Sequence, residues 1–191
     1  IIGELLQKNL VFEKEIIFQR INNMDSKLVY NADSLQIRRD TYEMSNKSII
    51  NKDFVDHPGS VLIIGLRGKK ILFVRQWRQP VKTYTLELPC GTLKKSENSN
   101  AGADREFREE TGFSAKEYKS FGKFYVAPGY SNEVTEYFIA DKIFESPLDQ
   151  DEDEDITLEE YTLEESFELI KDNKIIDQGT ITALNIYKSI I

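Results

Sequence analysis

The most informative side chains of this sequence are the glutamates that recur between Gly91 and Gly112. Glu106, Glu109 and Glu110 stand three and four residues apart, so a regular helix would present all three carboxylates on one face. Like charges placed in this way repel one another, and a divalent cation relieves that repulsion. Oxygen ligands are those that Mg²⁺ or Mn²⁺ prefers, usually with waters and substrate phosphates completing the coordination shell. An isolated acidic cluster is also typical of a solvated helix face, so the flanking residues must distinguish the two interpretations.

A longer pattern surrounds these glutamates. Written in one-letter code from Gly91 to Phe113, it is G-x5-E-x7-R-E-U-x-E-E-x-G-U, where U is an apolar residue. The pattern resembles the signature of the Nudix hydrolases at every specified position. That resemblance implies a Nudix α/β/α sandwich with a mixed sheet. It also implies a hydrolase that cleaves a diphosphate bond with Mg²⁺, for which Mn²⁺ is a possible substitute.

The resemblance assigns the carboxylates of the signature to metal binding. Glu106 and Glu110 would be the principal metal ligands, and Glu109 would either be a further ligand or orient the attacking water. In similar enzymes the carbonyl oxygen before the first glycine can also ligate a metal, which places Cys90 in the metal site. Its thiol has two interpretations, a reactive group beside a metal or a small buried hydrophobe.

Gly91, Glu97 and Arg105 have supporting roles in this interpretation. At the end of a strand, Gly91 allows the backbone to turn sharply and approach metal or phosphate groups without a Cβ in the way. Arg105 would pair with a carboxylate such as Glu97 and so hold the preceding loop on the helix. Neither member of that pair is expected to take part in the chemistry.

Segments on either side of the signature narrow the resemblance to ADP-ribose pyrophosphatases and their nucleoside-diphosphate-sugar relatives. The matching stretches are His57-Pro58-Gly59, Val74-Arg75-Gln76-Trp77-Arg78, Leu86-Glu87-Leu88-Pro89-Cys90-Gly91 and Ala127-Pro128-Gly129-Tyr130-Ser131-Asn132-Glu133. Pro128 follows Gly112 by sixteen residues, and this spacing is associated with ADP-ribose hydrolysis. Pro128 and Glu133 are therefore candidates for binding the substrate.

Arg75 and Arg78 are further candidates for binding the substrate. They stand three residues apart in a predicted strand and therefore point to opposite faces, so they cannot have the same role. Arg78 is preferred for a phosphate or terminal-ribose contact, because related enzymes use the second arginine in this way and a guanidinium grips two oxygens at once. Each arginine has the alternative of being an exposed strand charge. Trp77 would stack on a base or pack in the core.

An acidic run at residues 149–155 lies where the ADP-ribose branch carries an E-x-E-D-I sequence in a loop. Here Glu152-Asp153-Glu154-Asp155-Ile156 matches that sequence. The resemblance makes Glu152 the general base that activates water, and Glu154 an additional metal ligand. Because acidic residues alternate along the run, a shift of two residues that makes Glu154 the base stays open.

The elements that must position these residues are visible in the hydrophobic pattern. Strands are predicted at residues 10–21, 35–39, 47–51, 61–66, 69–76, 83–88, 116–126, 133–140 and 156–161, and helices at residues 98–111, 163–172 and 181–191. Gly112 stands where the first helix is expected to end. The predicted class is α/β, with a small β-rich unit at residues 1–55 for dimerisation and substrate cover, and a catalytic domain at residues 56–191.

Composition and charge exclude several classes of protein. The 25 Lys and Arg residues against 33 Asp and Glu give a formal net charge of −8, which argues against a nucleic-acid binder held by phosphate contacts. One cysteine excludes an internal disulfide and is compatible with a reducing cytoplasm, where we expect the protein. No apolar run approaches the roughly 20 residues of a membrane-spanning helix.

The predicted reaction is the hydrolysis of ADP-ribose to AMP and ribose 5-phosphate. Another nucleoside diphosphate sugar, such as GDP-mannose, is an alternative substrate, because the base and sugar pockets lie outside the signature. A third interpretation is a nucleotide-sugar sensor without turnover, although such modules tend to lose carboxylates that are all present here.

A homodimer is the predicted assembly. Relatives form homodimers in which the N-terminal sheet of one subunit reaches over the active site of the other and helps to bind the nucleoside. A strand-rich unit of about fifty residues has too small a core to stand alone and must dock on another surface. Docking within the same chain would satisfy that constraint equally well.

Overall fold

The structure is a computed structural model that describes residues 22–32, 35–149 and 155–191. The predicted strand at residues 10–21 lies outside the described residues. The strands are β1 (Asn22–Asn31), β2 (Gln36–Glu43), β3 (Ile49–Asp56), β4 (Ser60–Arg67), β5 (Lys70–Arg78), β6 (Thr83–Glu87), β7 (Cys90–Thr92), β8 (Phe113–Tyr125), β9 (Val134–Glu145) and β10 (Ile156–Thr162), and the helices are α1 (Ser99–Thr111), α2 (Leu163–Lys171) and α3 (Gln178–Ile190). Each element predicted within the described residues is present, with ends that shift by a few residues.

The strands form two sheets. β1, β2 and β3 make an antiparallel three-stranded sheet. The second sheet has seven strands in the order β10-β5-β4-β9-β8, with β6 paired to β5 and β7 paired to β4. β4 and β9 run parallel whereas the other neighbours are antiparallel, so this sheet is mixed.

Strand β4 contributes to a hydrophobic core on each face of the mixed sheet. Val61 and Ile63 join a buried cluster that includes Phe107 of α1. Leu62 and the other alternate residues join a second cluster with Leu184 of α3 and with side chains of α2. Helices therefore cover both faces of the sheet, and the predicted α/β/α sandwich is confirmed.

Helix α1 has well-defined ends and a tight contact with the sheet. The side chain of Asn98 accepts a hydrogen bond from the N–H of Ala101, and Gly112 ends the helix with a φ of 78°. At Gly65 in β4, a Cβ would lie 2.5 Å from the ring of Phe107. Burial of Phe107 stabilises this packing by about 1.5–3 kcal/mol. The absence of a side chain at Gly65 thus sets how close α1 lies to β4.

The described residues fall into two compact units. One consists mainly of the described residues from 22 to 57 together with Gly129–Asn132, and the other mainly of the described residues from 58 to 128 and from 133 to 189. Within the first unit, the N–H of Val55 donates to the carbonyl oxygen of Tyr130 at 2.8 Å. The second unit contains the whole of the Nudix-like signature.

Strands β1 and β7 are absent from the sequence prediction. β1 begins with polar residues that give no alternating apolar pattern, and β7 is only three residues long. No helix in the described ranges is long and apolar enough to cross a membrane.

Candidate active site

Helix α1 and strand β7 meet at the backbone of Cys90 and Gly91. The N–H of Cys90 donates a hydrogen bond to Oε2 of Glu110 at 3.0 Å. A Cβ built at residue 91 would lie 2.0 Å from Cδ of Glu106, and 2.2 and 2.3 Å from its two carboxylate oxygens. Only glycine leaves room for this carboxylate, which explains why the signature begins with a glycine.

Arg105 contacts three glutamates of the signature. Its Nε and Nη2 each donate to Glu97 at 2.9 Å, which is bidentate pairing. Its Nη1 lies 2.8 Å from Oε1 of Glu106 and 2.7 Å from Oε2 of Glu109. Nη2 also donates to the carbonyl oxygen of Thr92 at 3.1 Å. The expected pair of Arg105 with Glu97 is present, and it ties the loop after β7 to α1.

These contacts stabilise the charged forms of the paired groups. Hydrogen bonding to Glu97 raises the pKa of Arg105, against the opposing effect of burial, and the charge of Glu106 adds to the rise. The hydrogen bonds from Arg105 hold the pKa of Glu97 at about 2. Glu106 and Glu110 are only 8% and 3% exposed. Carboxylates buried to this extent require compensating cations or hydrogen-bond donors.

The donor set at this junction suits a hard divalent cation. The carboxylates of Glu106 and Glu110 lie at the Cys90–Gly91 backbone, and the carbonyl oxygen of Cys90 belongs to the same backbone. No group of three His, Cys, Asp or Glu side chains converges as a ready metal site in the part of the chain that the structure describes. Mg²⁺ commonly takes one or two carboxylates and completes its shell with waters and substrate phosphates, so the residues present fit such an ion.

The thiol of Cys90 belongs to the core. It packs against the buried cluster that includes Leu62 and Tyr137. Burial, together with the nearby carboxylate of Glu110, raises the pKa of the thiol well above its ordinary value. Of the two interpretations of this side chain, the structure matches the small buried hydrophobe.

Arg75 and Arg78 lie on opposite faces of β5, as their spacing predicts. Nε and Nη2 of Arg78 donate to the two carboxylate oxygens of Glu87 at 2.9 and 2.5 Å. Arg75 pairs instead with Glu159 on β10, through Nε at 2.5 Å and Nη2 at 3.3 Å. The hydrogen bond to Glu87 raises the pKa of Arg78, and the charge of Glu110 contributes to the rise. Arg78 is therefore on the side of the sheet that faces the carboxylates of α1.

Trp77 shares the face of Arg75. Its side chain is 40% exposed and meets Tyr84 edge to face, with ring centroids 5.3 Å apart. The interpretation of Trp77 as a core residue is therefore wrong. The stacking of Trp77 on a nucleobase stays a prediction.

The remaining predicted site residues are Pro128 and Glu133, which the structure describes, and Glu152 and Glu154, which it does not. Pro128 is in the exposed turn between β8 and β9, and Glu133 accepts a hydrogen bond from Ser60 Oγ at 2.7 Å. Glu152 and Glu154 lie outside the described residues, so their roles stay predictions.

Two residues of this region are absent from the sequence prediction of the site. Glu87 pairs with Arg78 as described above, and the hydroxyl of Thr85 donates a hydrogen bond to Oε1 of Glu87. Both are nearly fully buried. Thr85 and Glu87 alternate with Leu86 and Leu88 in the sequence, which places two polar side chains on one face of β6. That alternation is the signal by which they can be found.

A comparison with protein families identifies the chain. The model of the NUDIX domain matches residues 56–183, which include the signature and every strand of the mixed sheet. The chain belongs to the Nudix hydrolase family. Enzymes of this family generally use divalent metal cations, in agreement with the oxygen donors at the Cys90–Gly91 junction.

Curated relatives of this Nudix hydrolase include several nucleotide-sugar enzymes. It is 30% identical to an ADP-ribose pyrophosphatase of Bacillus subtilis (strain 168) over 159 residues, 82% of this chain and 86% of the relative. It is 31% identical to a methanol dehydrogenase activator of Bacillus methanolicus with the same coverage of both chains. A GDP-mannose pyrophosphatase of Citrobacter koseri is 27% identical over 168 residues, 78% of this chain and 85% of the relative.

The Nudix fold is also matched by a solved structure. The crystal structure of an ADP compounds hydrolase aligns with a TM-score of 0.79 and covers 92% of this chain and 96% of its own. The two sequences are 19% identical, so this likeness concerns the fold.

The pairing of Glu97 with Arg105 predicts a pH-dependent contribution to stability. Because folding lowers the pKa of Glu97 from 4.5 to about 2, its charged form stabilises the protein above pH 4.5, and this stabilisation is lost as the pH falls toward 2. We expect Glu97→Gln to lower the free energy of unfolding by roughly 1–3 kcal/mol at pH 6 and by less at pH 3. Urea unfolding followed by circular dichroism at both pH values measures this difference.

Glu117→Gln, at an exposed glutamate of β8, is the matched control and should change stability little at either pH. An effect of Glu97→Gln that is the same at pH 6 and pH 3 would contradict the lowered pKa of Glu97.

Proposed function

We propose that this Nudix hydrolase cleaves the diphosphate bond of ADP-ribose, with Mg²⁺, to give AMP and ribose 5-phosphate. The observation that carries the proposal is the junction of α1 and β7, where the carboxylates of Glu106 and Glu110 lie at the backbone of Cys90 and Gly91. The name and the 30% identity of the ADP-ribose pyrophosphatase relative support the choice of substrate.

In this proposal, the oxygen atoms of the junction hold the metal. Glu106, Glu110 and the carbonyl oxygen of Cys90 would be ligands, with Glu109 as a further ligand or a residue that orients water, and Glu154 as an additional contact. A bound divalent cation would neutralise charge on the diphosphate and lower the pKa of a coordinated water. Arg105 already neutralises part of the charge of Glu106 and Glu109, so it keeps these side chains in place before substrate binds.

The remaining residues would act on water and on the substrate. Glu152 accepts a proton from the attacking water, whose oxygen forms a bond to one phosphorus while the bridging oxygen leaves with the other phosphate. Arg78 contacts the diphosphate and stabilises the negative charge of the leaving group, because it faces the carboxylates of α1. Arg75 lies on the other face of β5, so we assign the diphosphate contact to Arg78 alone.

GDP-mannose is the second candidate substrate. The observation that favours it is the presence of GDP-mannose pyrophosphatases among the relatives. The metal ligands and the diphosphate contact would be the same for both substrates, because the base and the sugar bind outside the signature. A nucleotide-sugar sensor without turnover is less well supported, since all the carboxylates of the signature are present.

A panel of diphosphates tests the proposed function. ADP-ribose, ADP-glucose, GDP-mannose, UDP-glucose and diadenosine polyphosphates are incubated with the protein and Mg²⁺, then Mn²⁺, and phosphatase-sensitive product is measured. We expect the highest kcat/KM for ADP-ribose. Preference for GDP-mannose would move the proposal to the second substrate, whereas no hydrolysis of any compound would overturn it in favour of the sensor.

Two carboxylate substitutions separate metal binding from proton transfer. Glu110→Gln removes a proposed ligand and should abolish turnover, so a tenth of the wild-type rate would contradict that role. Glu152→Gln should lower kcat by roughly two or more orders of magnitude with little change in KM, as the loss of a general base does. Glu154→Gln is the comparison, and a larger effect of that variant would make Glu154 the base. Glu117→Gln is the control for loss of an exposed carboxylate.

We also propose a homodimer that forms through the N-terminal sheet. Met24 and Val29 in β1 and Ile49 in β3 are more than half exposed, so this small sheet presents apolar side chains that a partner subunit could cover. Light scattering at micromolar concentration should give twice the mass of the chain. Ile49→Asp should shift the protein toward monomer, while Lys52→Asp, at an exposed polar residue of the same strand, should not. A monomeric wild-type protein would contradict the proposal.

A further inference from the structure

The contact between Arg78 and Glu87 is the feature that the proposed chemistry leaves unused. Glu87 is 6% exposed, and both of its carboxylate oxygens accept from Arg78, at 2.9 Å from Nε and 2.5 Å from Nη2. The hydroxyl of Thr85, which is also buried, donates to Oε1 of Glu87. The carboxylate is therefore fixed from two sides, by one residue of its own strand and by one residue of β5.

A bidentate pair of this kind fixes the plane of the guanidinium. Two parallel N–H···O bonds allow one orientation of the group, whereas a single bond would allow rotation. The pair occupies the edge of the guanidinium formed by Nε and Nη2, so Nη1 is not part of it. The half-buried side chain of Arg78 thus presents Nη1 as a donor in a fixed orientation. Glu87 is buried and does not contact the substrate itself.

From this geometry we propose that Glu87 is a positioning residue, which holds the guanidinium of Arg78 in the orientation that contacts the diphosphate of the substrate. This inference rests on the proposed function of the site. Glu87 itself touches neither substrate nor metal, and its effect on the reaction passes entirely through Arg78.

The surroundings of Arg78 explain why such a partner is needed. The carboxylate of Glu110 is close enough to contribute to the raised pKa of Arg78. The guanidinium is thus attracted by a second carboxylate, and the two hydrogen bonds to Glu87 are the contacts that define its orientation. Burial disfavours the charged form of Glu87, but the hydrogen bonds from Arg78 and Thr85 outweigh it and lower the pKa of Glu87. Glu87 therefore stays charged and keeps its bidentate pairing with Arg78.

A double-mutant cycle tests the inference. Wild type, Glu87→Gln, Arg78→Ala and the double variant are compared in kcat/KM for the best substrate of the panel, and in the dissociation constant of ADP measured calorimetrically with EDTA present. Glu87→Gln should lower kcat/KM and ADP affinity by about tenfold, since misplacing a binding group by a fraction of an ångström has effects of this order or larger. In the Arg78→Ala background the same change should alter both quantities less than twofold.

The chain offers a matched control in the Arg75–Glu159 pair, on the opposite face of the same strand. Glu159→Gln also removes one carboxylate charge from an arginine pair of β5, and it should leave kcat/KM and ADP affinity within twofold of wild type. Unfolding midpoints of all variants are measured in parallel. If Glu87→Gln does not fold, Glu87→Asp replaces it, because that variant keeps the charge but shortens the reach of the carboxylate.

The outcomes separate this inference from the proposed function. Additive effects of Glu87→Gln and Arg78→Ala, or equal losses in Glu87→Gln and Glu159→Gln, would overturn the positioning role without affecting the proposed reaction. Failure of the wild type to hydrolyse any diphosphate would overturn the proposed function. The double-mutant cycle would then still show whether Glu87 acts through Arg78, because the binding of ADP can be measured without turnover.

Discussion

Helix α1 approaches strand β7 so closely that the carboxylate of Glu106 occupies the space where a side chain at residue 91 would begin. The other contacts of the junction depend on this approach. It brings Glu110 within hydrogen-bonding distance of the N–H of Cys90, and it brings Arg105 to the carbonyl oxygen of Thr92 at the end of the same strand. At the residue after Glu106, the ring of Phe107 fills the space above Gly65. Gly65 therefore leaves room for the ring that packs the helix on the sheet, and Gly91 leaves room for the carboxylate of Glu106.

The electrostatics of the region follow from the burial that this approach creates. Glu106 and Glu110 are nearly inaccessible to water, and Arg105 shares its charge among Glu97, Glu106 and Glu109. Lys94 adds a second positive charge near Glu109, and the oxygen donors of the junction suit a hard divalent cation. Arg78 is a further guanidinium of this region. Its bidentate partner is Glu87, and the charge of Glu110 adds to the rise in its pKa.

Much of this organisation could be predicted from the sequence, for reasons that are local. Asn98 and Gly112 mark the ends of α1, and Gly68 lies in the turn of the β4–β5 hairpin, because each residue satisfies a backbone requirement within a few positions. The spacing of Arg75 and Arg78 predicts opposite faces because strand alternation is strict. Features that depend on residues far apart in the sequence could not be predicted in this way. Strand β1 has no apolar alternation and depends on its pairing with β2, and the partner of Arg78 depends on the register between β5 and β6.

The two glycines that face α1 differ in what a side chain would displace. At residue 65 it would meet the aromatic ring that anchors the helix in the core, whereas at residue 91 it would meet only a carboxylate at the rim of the sheet. Variation at the first position therefore threatens the architecture, and variation at the second threatens only the chemistry. A single substitution at residue 91 would thus displace a proposed metal ligand and leave the fold and its surface in place. In evolution, such a change would turn an enzyme into a protein that binds the same ligand without turnover.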